Sequence, residues 1–170
     1  MNHLDNIVIS KQDIQQRIAE LAKDIDATYG EKNPILLILL KGSIFFASDL
    51  SRRMTSEHTL DFMAVGHDQQ GMLEIRYHPM SNLSGRYVLV IEDIIDSGLT
   101  LHYIVNHLKT TGALDIQVIT LLDNPTRRLV HLPITHIGFS IPDVYVVGYG
   151  LDIHERYRNL PDIYEYHEEE

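Results

Sequence analysis

Val88-Leu89-Val90-Ile91-Glu92-Asp93-Ile94-Ile95-Asp96-Ser97-Gly98-Leu99-Thr100 is the stretch that organises this chain. Its first four residues are apolar, rich in β-branched side chains and too few for a typical helix. They predict a strand buried on both faces. A helical pattern follows from about Leu101, with Ile104 and Leu108 four apart. Between strand and helix stand an acidic pair, two isoleucines and a turn of small residues. That order suits an anion at a helix start. Gly98 permits a tight turn, and free N–H groups with the helix dipole favour a phosphate. The spacing matches neither GxxxxGK[ST] nor GxGxxG, so neither a P-loop nor a dinucleotide fingerprint is indicated.

Three carboxylates beside a phosphate cradle must serve another group, because they repel the phosphate itself. Glu92 and Asp93, at a strand end, can accept hydrogen bonds from paired sugar hydroxyls or reach a metal through water. Asp96 would point back over the site as a proton-transfer group. A solvated acidic turn is the plain alternative.

Working outward, Ser10 caps a helix whose apolar positions Ile14, Ile18, Leu21 and Ile25 recur at helical spacing and which ends near Gly30. Ile35–Leu40 predicts a second doubly buried strand. Lys41-Gly42-Ser43 follows it and leads into a helix over Ile44–Met54, an arrangement that again suits a phosphate-bearing ligand. Leu60–Val65 and about Met72–Tyr77 predict strands joined by a polar link, Gly66–Gly71. Thr111-Gly112-Ala113 reads as the glycine stop of the central helix. Further strands are expected over Ile116–Leu122, Ile134–Phe139 and Val144–Val147. The alternation predicts one α/β domain over residues 1–170, with a central, mostly parallel sheet and helices on both faces. Its site would lie at the carboxyl ends of the strands. Residues 58–77 and the C-terminal block are expected to form a small hood.

Composition narrows the function. The 170 residues suit a single core, and 44% hydrophobic content is ordinary for a globular chain. The chain has no cysteine, which removes disulfides, thiolate metal sites and a cysteine nucleophile. A net charge of −10 disfavours a nucleic-acid partner, which calls for a basic face. No apolar run reaches membrane-spanning length and no secretory signal is visible, so a cytoplasmic setting without a membrane partner is expected. Ten histidines invite a metal reading. The nearest pairs, His102 with His107 and His131 with His136, are five apart rather than three or four, and a structural role is expected for them. The acidic end, Glu165–Glu170, reads as a solvated tail.

The stretch VLVIEDIIDSGLT resembles the phosphoribosyl-diphosphate (PRPP) motif of the type I phosphoribosyltransferases, and its EDIIDSG form resembles their hypoxanthine-guanine branch. The segments DFMAV from Asp61 and IPD…VVGYGLD…YRNLP from Ile141 also resemble that family, so the likeness runs from about Leu36 to Pro161. It implies Mg²⁺-dependent transfer of 5-phosphoribosyl from PRPP to N9 of a purine, and assembly as a homodimer or homotetramer. Glu92 and Asp93 would hold the ribose hydroxyls, partly through Mg²⁺, which Asp152 would also approach. Asp96 would act as general acid/base at N7. Asp96, Ser97, Gly98, Leu99 and Thr100 would grip the 5′-phosphate. Lys41 and Gly42, in a loop that in the family often holds a cis peptide, would meet diphosphate, as would Arg158 of the C-terminal block. Tyr145 would stack on the base and Val146 would read its edge.

Two departures from the family pattern stand out. Gly66 and His67 occupy the place of a Ser-Tyr pair in a longer mobile loop, which predicts a shortened cover over the site. Asn124 occupies the place of a lysine that hydrogen-bonds the 6-oxo group. As an amide, Asn124 could still bind that group in the base site but would not reject a 6-amino group, which leaves open a different base; a nucleotide-sensing regulator on the same fold is the other alternative. Arg127 and Arg128 could compensate from nearby, but exposed loop arginines are the expected reading.

Overall fold

Two uninterrupted apolar runs, Ile35–Leu39 and Val88–Ile91, lie side by side at the centre of the sheet, paired in parallel from Ile35 with Val88 to Ile38 with Ile91. Alternate residues of each run face opposite layers, so both layers require apolar cover. The computed structural model describes residues 4–167. In chain order it contains β1 (Leu4–Ile9), α1 (Lys11–Tyr29), β2 (Ile35–Leu39), α2 (Ile44–Arg53), β3 (Thr59–His67) and β4 (Leu73–Tyr77). It continues with β5 (Tyr87–Ile95), α3 (Leu99–Lys109), β6 (Asp115–Asp123), β7 (Ile134–Ser140), β8 (Val146–Val147) and β9 (Ile163–Tyr166).

The main sheet has the order β4-β3-β2-β5-β6-β7 and is parallel except for the β3–β4 pair. Leu36, Ile38, Leu89 and Ile91 face α1 and α2, while Ile35, Leu37, Val88 and Val90 face α3. Ser10 caps α1 by accepting the Asp13 N–H at 3.2 Å, and Ile14, Ile18, Leu21 and Ile25 are buried along one stripe of that helix. Each contributes roughly 1.5–3 kcal/mol by leaving water, far more than the surface ion pair between Arg17 and Glu20 at about 0–1 kcal/mol. Apolar contact, not charge, fixes α1. Among the described residues no helix is long and apolar enough to cross a membrane.

A second sheet, β1-β9-β8, is the hood. The expectation that residues 58–77 belong to it is corrected here: β3 pairs in parallel with β2 from Ile35 with Thr59 to Leu39 with Met63, and carries β4 at the edge of the main sheet. Met63 is fully buried, and that burial holds the segment against the α3 layer. The polar link is also shorter than its sequence indicates. Gly66 and His67 continue β3, and Asp68 closes the turn by accepting the N–H groups of Gln70 and Met72 at 2.9 and 2.8 Å. The expected Val144–Val147 strand is reduced to β8, and the acidic end is no free tail at its start, because Glu165 and Tyr166 lie in β9. Residues 168–170 lie outside the described residues.

The hood is fastened from both sides. The Tyr149 hydroxyl donates to Asp49 on α2 at 2.6 Å. Burial first, and then that carboxylate, push the phenol well above its ordinary range. The Lys11 N–H donates to Asp162 at 2.6 Å.

Candidate active site

β5 carries its backbone pairing past the apolar run to Ile95, so Glu92 and Asp93 are strand residues with fixed directions. The Ser43 hydroxyl and the Asp93 N–H donate to Glu92 Oε1 at 3.2 and 3.1 Å, while the Ile94 N–H donates to Asp93 Oδ1 at 2.7 Å. Burial first, and then the neighbouring Asp93 carboxylate, raise Glu92 well above the usual carboxylate range. Burial and a like charge thus both oppose ionisation of Glu92, an opposition that a nearby cation would relieve.

Gly98 caps α3 with φ 77°, a left-handed conformation that favours glycine. Residues 95–98, Thr100 and Leu101 line a cavity of about 140 Å³, together with Glu92 and Ile94. The first N–H groups of α3 thus open beside a small polar hollow, which is suited to an anion. Leu99 itself is half exposed.

A second cavity of about 270 Å³ adjoins it, with Asp93, Asp96, Asn124, Tyr145, Val146 and Asp152 in its wall. Asp96 and Ile94 line both cavities. Tyr145 is 51% exposed, its ring 6.0 Å from that of Tyr166, so it presents a free face rather than a core side chain. Val146 is buried in β8. Asn124 is 2% exposed, and its Oδ1 accepts from the Thr126 hydroxyl at 2.7 Å.

The loop after β2 has a cis peptide between Leu40 and Lys41. It touches the hood: a Cβ on Gly150 would lie 2.0 Å from the Gly42 carbonyl oxygen. Lys41 Nζ is 3.2 Å from Glu155 Oε1, with both side chains mostly exposed. Arg158 donates to the Gly150 carbonyl at 2.7 Å and pairs with Asp152 at 2.8 Å and with Glu155 at 3.3 Å. Asp152 Oδ2 also accepts the Glu155 N–H at 2.8 Å. Lys41 and Arg158 are thus gathered by one acidic residue, Glu155, which the sequence analysis did not single out. Its i,i+3 spacing to Arg158 was the available signal.

Arg127 is an exposed loop residue, as expected, yet it borders the site, and for Arg128 the expectation is corrected. Arg127 lines the larger cavity, with Nη1 3.3 Å from Asp96 Oδ2 and Nε on Asp143. Arg128 is turned inward onto the buried Asp123. A turn that begins at a buried Asn124 brings Arg128 back onto the end of β6 and aims Arg127 at the carboxylates beyond β5 and β7.

Glu92, Asp93 and Asp152 offer only carboxylate oxygens, a donor set that suits Mg²⁺ rather than a softer metal. Among the described residues no three His, Cys, Asp or Glu side chains converge as a ligand set. A hard cation here would take one or two carboxylates and complete its shell with water and ligand oxygens. Among the described residues the histidines form no such set either. His107 packs against His78, ring centroids 5.9 Å apart, and His102 bonds to Asn106 at 2.8 Å.

Comparison with known proteins agrees with this layout. Residues 6–154 match the family model described as phosphoribosyl transferase domain. The chain is 39% identical to the hypoxanthine-guanine phosphoribosyltransferase of Bacillus subtilis, covering 96% of this chain and 94% of that one. It is 41% identical to the bifunctional protein TilS/HprT of Listeria innocua over 95% of this chain, and it spans only 26% of the length of that relative. A crystal structure of a hypoxanthine phosphoribosyltransferase from Staphylococcus aureus superposes with a TM-score of 0.93 at 36% identity, covering 98% of this chain and 93% of that one. The chain belongs to the phosphoribosyl transferase domain family, in its hypoxanthine-guanine phosphoribosyltransferase branch.

Proposed function

We propose that this chain, acting as one domain, is a purine-salvage enzyme. It transfers 5-phosphoribosyl from PRPP to N9 of a 6-oxopurine, hypoxanthine or guanine, releasing diphosphate and IMP or GMP. The observation that carries the reading is Asp96 on the wall common to two adjoining cavities. One of them opens at the start of α3 and the other beneath the exposed face of Tyr145.

In this reading the amides of residues 97–100 with the Ser97 and Thr100 hydroxyls hold the 5′-phosphate at the start of α3. Glu92 and Asp93 accept from the ribose hydroxyls. Tyr145 stacks on the base, and backbone groups at Val146 meet its edge. Lys41 and Arg158 leave Glu155 for the diphosphate, an exchange favoured by the higher charge of the newcomer. Asp96 holds the proton at N7 while the bond to N9 forms. The transition state has oxocarbenium character, as in glycoside cleavage, so fixed charges around the sugar matter most. Glu92, Asp93 and Asp152 would hold Mg²⁺, which when bound would neutralise diphosphate charge. The tight Asp68 turn gives the site a short cover, so exclusion of water falls to the rest of the cleft. Assembly as a homodimer or homotetramer and action in the cytoplasm belong to the same reading.

The test is nucleotide formation from PRPP and Mg²⁺ with hypoxanthine, guanine, xanthine and adenine offered separately, beside Asp96→Asn. Turnover of hypoxanthine or guanine, reduced about 10²–10⁴-fold in the variant, is expected. No turnover of any base by a chain that still binds PRPP would sink the proposal.

A further inference from the structure

We propose that Arg127 reads the 6-position of the purine, the role left open by Asn124; this rests on the larger cavity being the base site. Among the residues lining that cavity Arg127 is the one cation, facing Asp93, Asp96 and Asp152. Two of its three nitrogens are anchored, Nη1 on Asp96 and Nε on Asp143. Nη2 has no partner among the described residues. The guanidinium is therefore held at its flanks with one donor group to spare.

Asn124 is differently occupied. Its side chain is buried, and its Oδ1 accepts from Thr126. Its backbone N–H donates to the Ile95 carbonyl at 2.9 Å, and its own carbonyl accepts the Arg127 N–H at 3.2 Å. Asn124 is a strut that sets the turn from which Arg127 projects.

The chemistry separates the two candidates. A 6-oxopurine presents O6 and N7 as neighbouring acceptors, whereas adenine presents a donor at the 6-position beside N7. A guanidinium has donors only and keeps its charge, so it favours O6 and repels an amino group. An amide can match either edge. Asp96 and Arg127, 3.3 Å apart, would meet N7 and O6 side by side, coupling base choice to the residue that handles the N7 proton.

The test compares wild type with Arg127→Ala, Arg127→Lys, Asn124→Ala and the double variant Arg127→Ala/Asn124→Lys. KM and kcat are measured for hypoxanthine, adenine and PRPP, and IMP and AMP binding by calorimetry. Arg127→Ala should raise the hypoxanthine KM and weaken IMP binding about 10- to 100-fold, the size of one lost base contact. It should relax the hypoxanthine-to-adenine ratio and leave the PRPP KM within about threefold. Arg127→Lys should retain most of the preference, and a lysine at 124 should restore it in the double variant, a rescue that a loop-bracing role would not give. Unchanged hypoxanthine KM and IMP binding in Arg127→Ala would overturn the assignment, as would a loss of base preference in Asn124→Ala that Arg127→Ala does not share. If wild type turns over no 6-oxopurine, the salvage reading fails separately. IMP binding equal in wild type and Arg127→Ala then overturns this proposal too, and a weakened value sustains it.

Discussion

Asp93 Oδ2 occupies the space beside Gly42 that any other residue would need: a Cβ on residue 42 would stand 1.7 Å from that oxygen and 2.8 Å from Cγ. The obstacle is the end of a side chain, which can rotate, and not backbone. Gly42→Ala should therefore fold with little loss, its Tm within a few degrees of wild type. The displaced carboxylate would leave the sugar and cation position, and kcat/KM for PRPP should fall by about 100-fold. A thermal melt with steady-state kinetics checks both halves. A large drop in Tm with normal kcat/KM in the surviving enzyme would contradict the argument.

Gly150 makes the opposite case. Its Cβ would meet the Gly42 carbonyl oxygen at 2.0 Å, and its φ is 104°, where side chains are strained. The Gly150 backbone is held in place, since its N–H donates to the Arg158 carbonyl at 2.9 Å. Gly150→Ala should cost about 2–4 kcal/mol and lower Tm by roughly 5–15 °C for a chain of this size. Calorimetry of the two glycine variants side by side would separate a steric conflict with a side chain from one with the main chain.

Asp61 predicts a pH dependence. Its buried carboxylate accepts the N–H groups of Phe62, Met80 and Ser81 at 2.7, 3.3 and 2.6 Å, tying β3 to the segment after β4. Burial, the largest influence, pushes its pKa up, but the combined hydrogen bonds outweigh it and hold the group below the ordinary value. A carboxylate depressed in the folded state stabilises above its unfolded pKa, near 3.9, and that contribution fades as pH falls through the lower folded value. Asp61→Ala should lose about 1–3 kcal/mol at pH 7 in urea unfolding. The gap from wild type should narrow below about pH 4. A gap that widened in acid would contradict the sign.

Much of this architecture was legible because burial and local chemistry coincide. β2 and β5 need apolar neighbours on both faces, and their sequences leave no alternative period. The cradle at Gly98 was legible because its glycine, its strand and its helix are contiguous. The hood was not. β1 and β9 pair across more than 150 residues with shifts in register between Leu4, Ile7 and Ile9, so neither carries a clean two-residue alternation. β3 reads as a half-exposed alternating strand, which suits either sheet; only its pairing with β2 places it in the main one. Arg127 could be named beside Asn124 but not placed, because a charged residue in a loop looks solvated until the fold shows which carboxylates it meets.

Tyr145 gives the sharpest check on the base cavity. It has no apolar duty that requires an aromatic, being 51% exposed, and its hydroxyl only reaches the Asp152 carbonyl at 3.5 Å. If its free face is the stacking surface, the ring matters and the hydroxyl does not. Stacking of a base on an aromatic side chain is worth about 1–3 kcal/mol, so Tyr145→Ala should raise the hypoxanthine KM roughly 5- to 150-fold while the PRPP KM holds. Tyr145→Phe keeps the ring and should shift the hypoxanthine KM by less than about threefold, because a neutral hydrogen bond at the limit of distance contributes little. Stacking does not distinguish purines, so Tyr145→Ala should weaken hypoxanthine and adenine alike, unlike a change at Arg127. Equal losses in Tyr145→Ala and Tyr145→Phe would instead make the hydroxyl the working group and remove the stacking role.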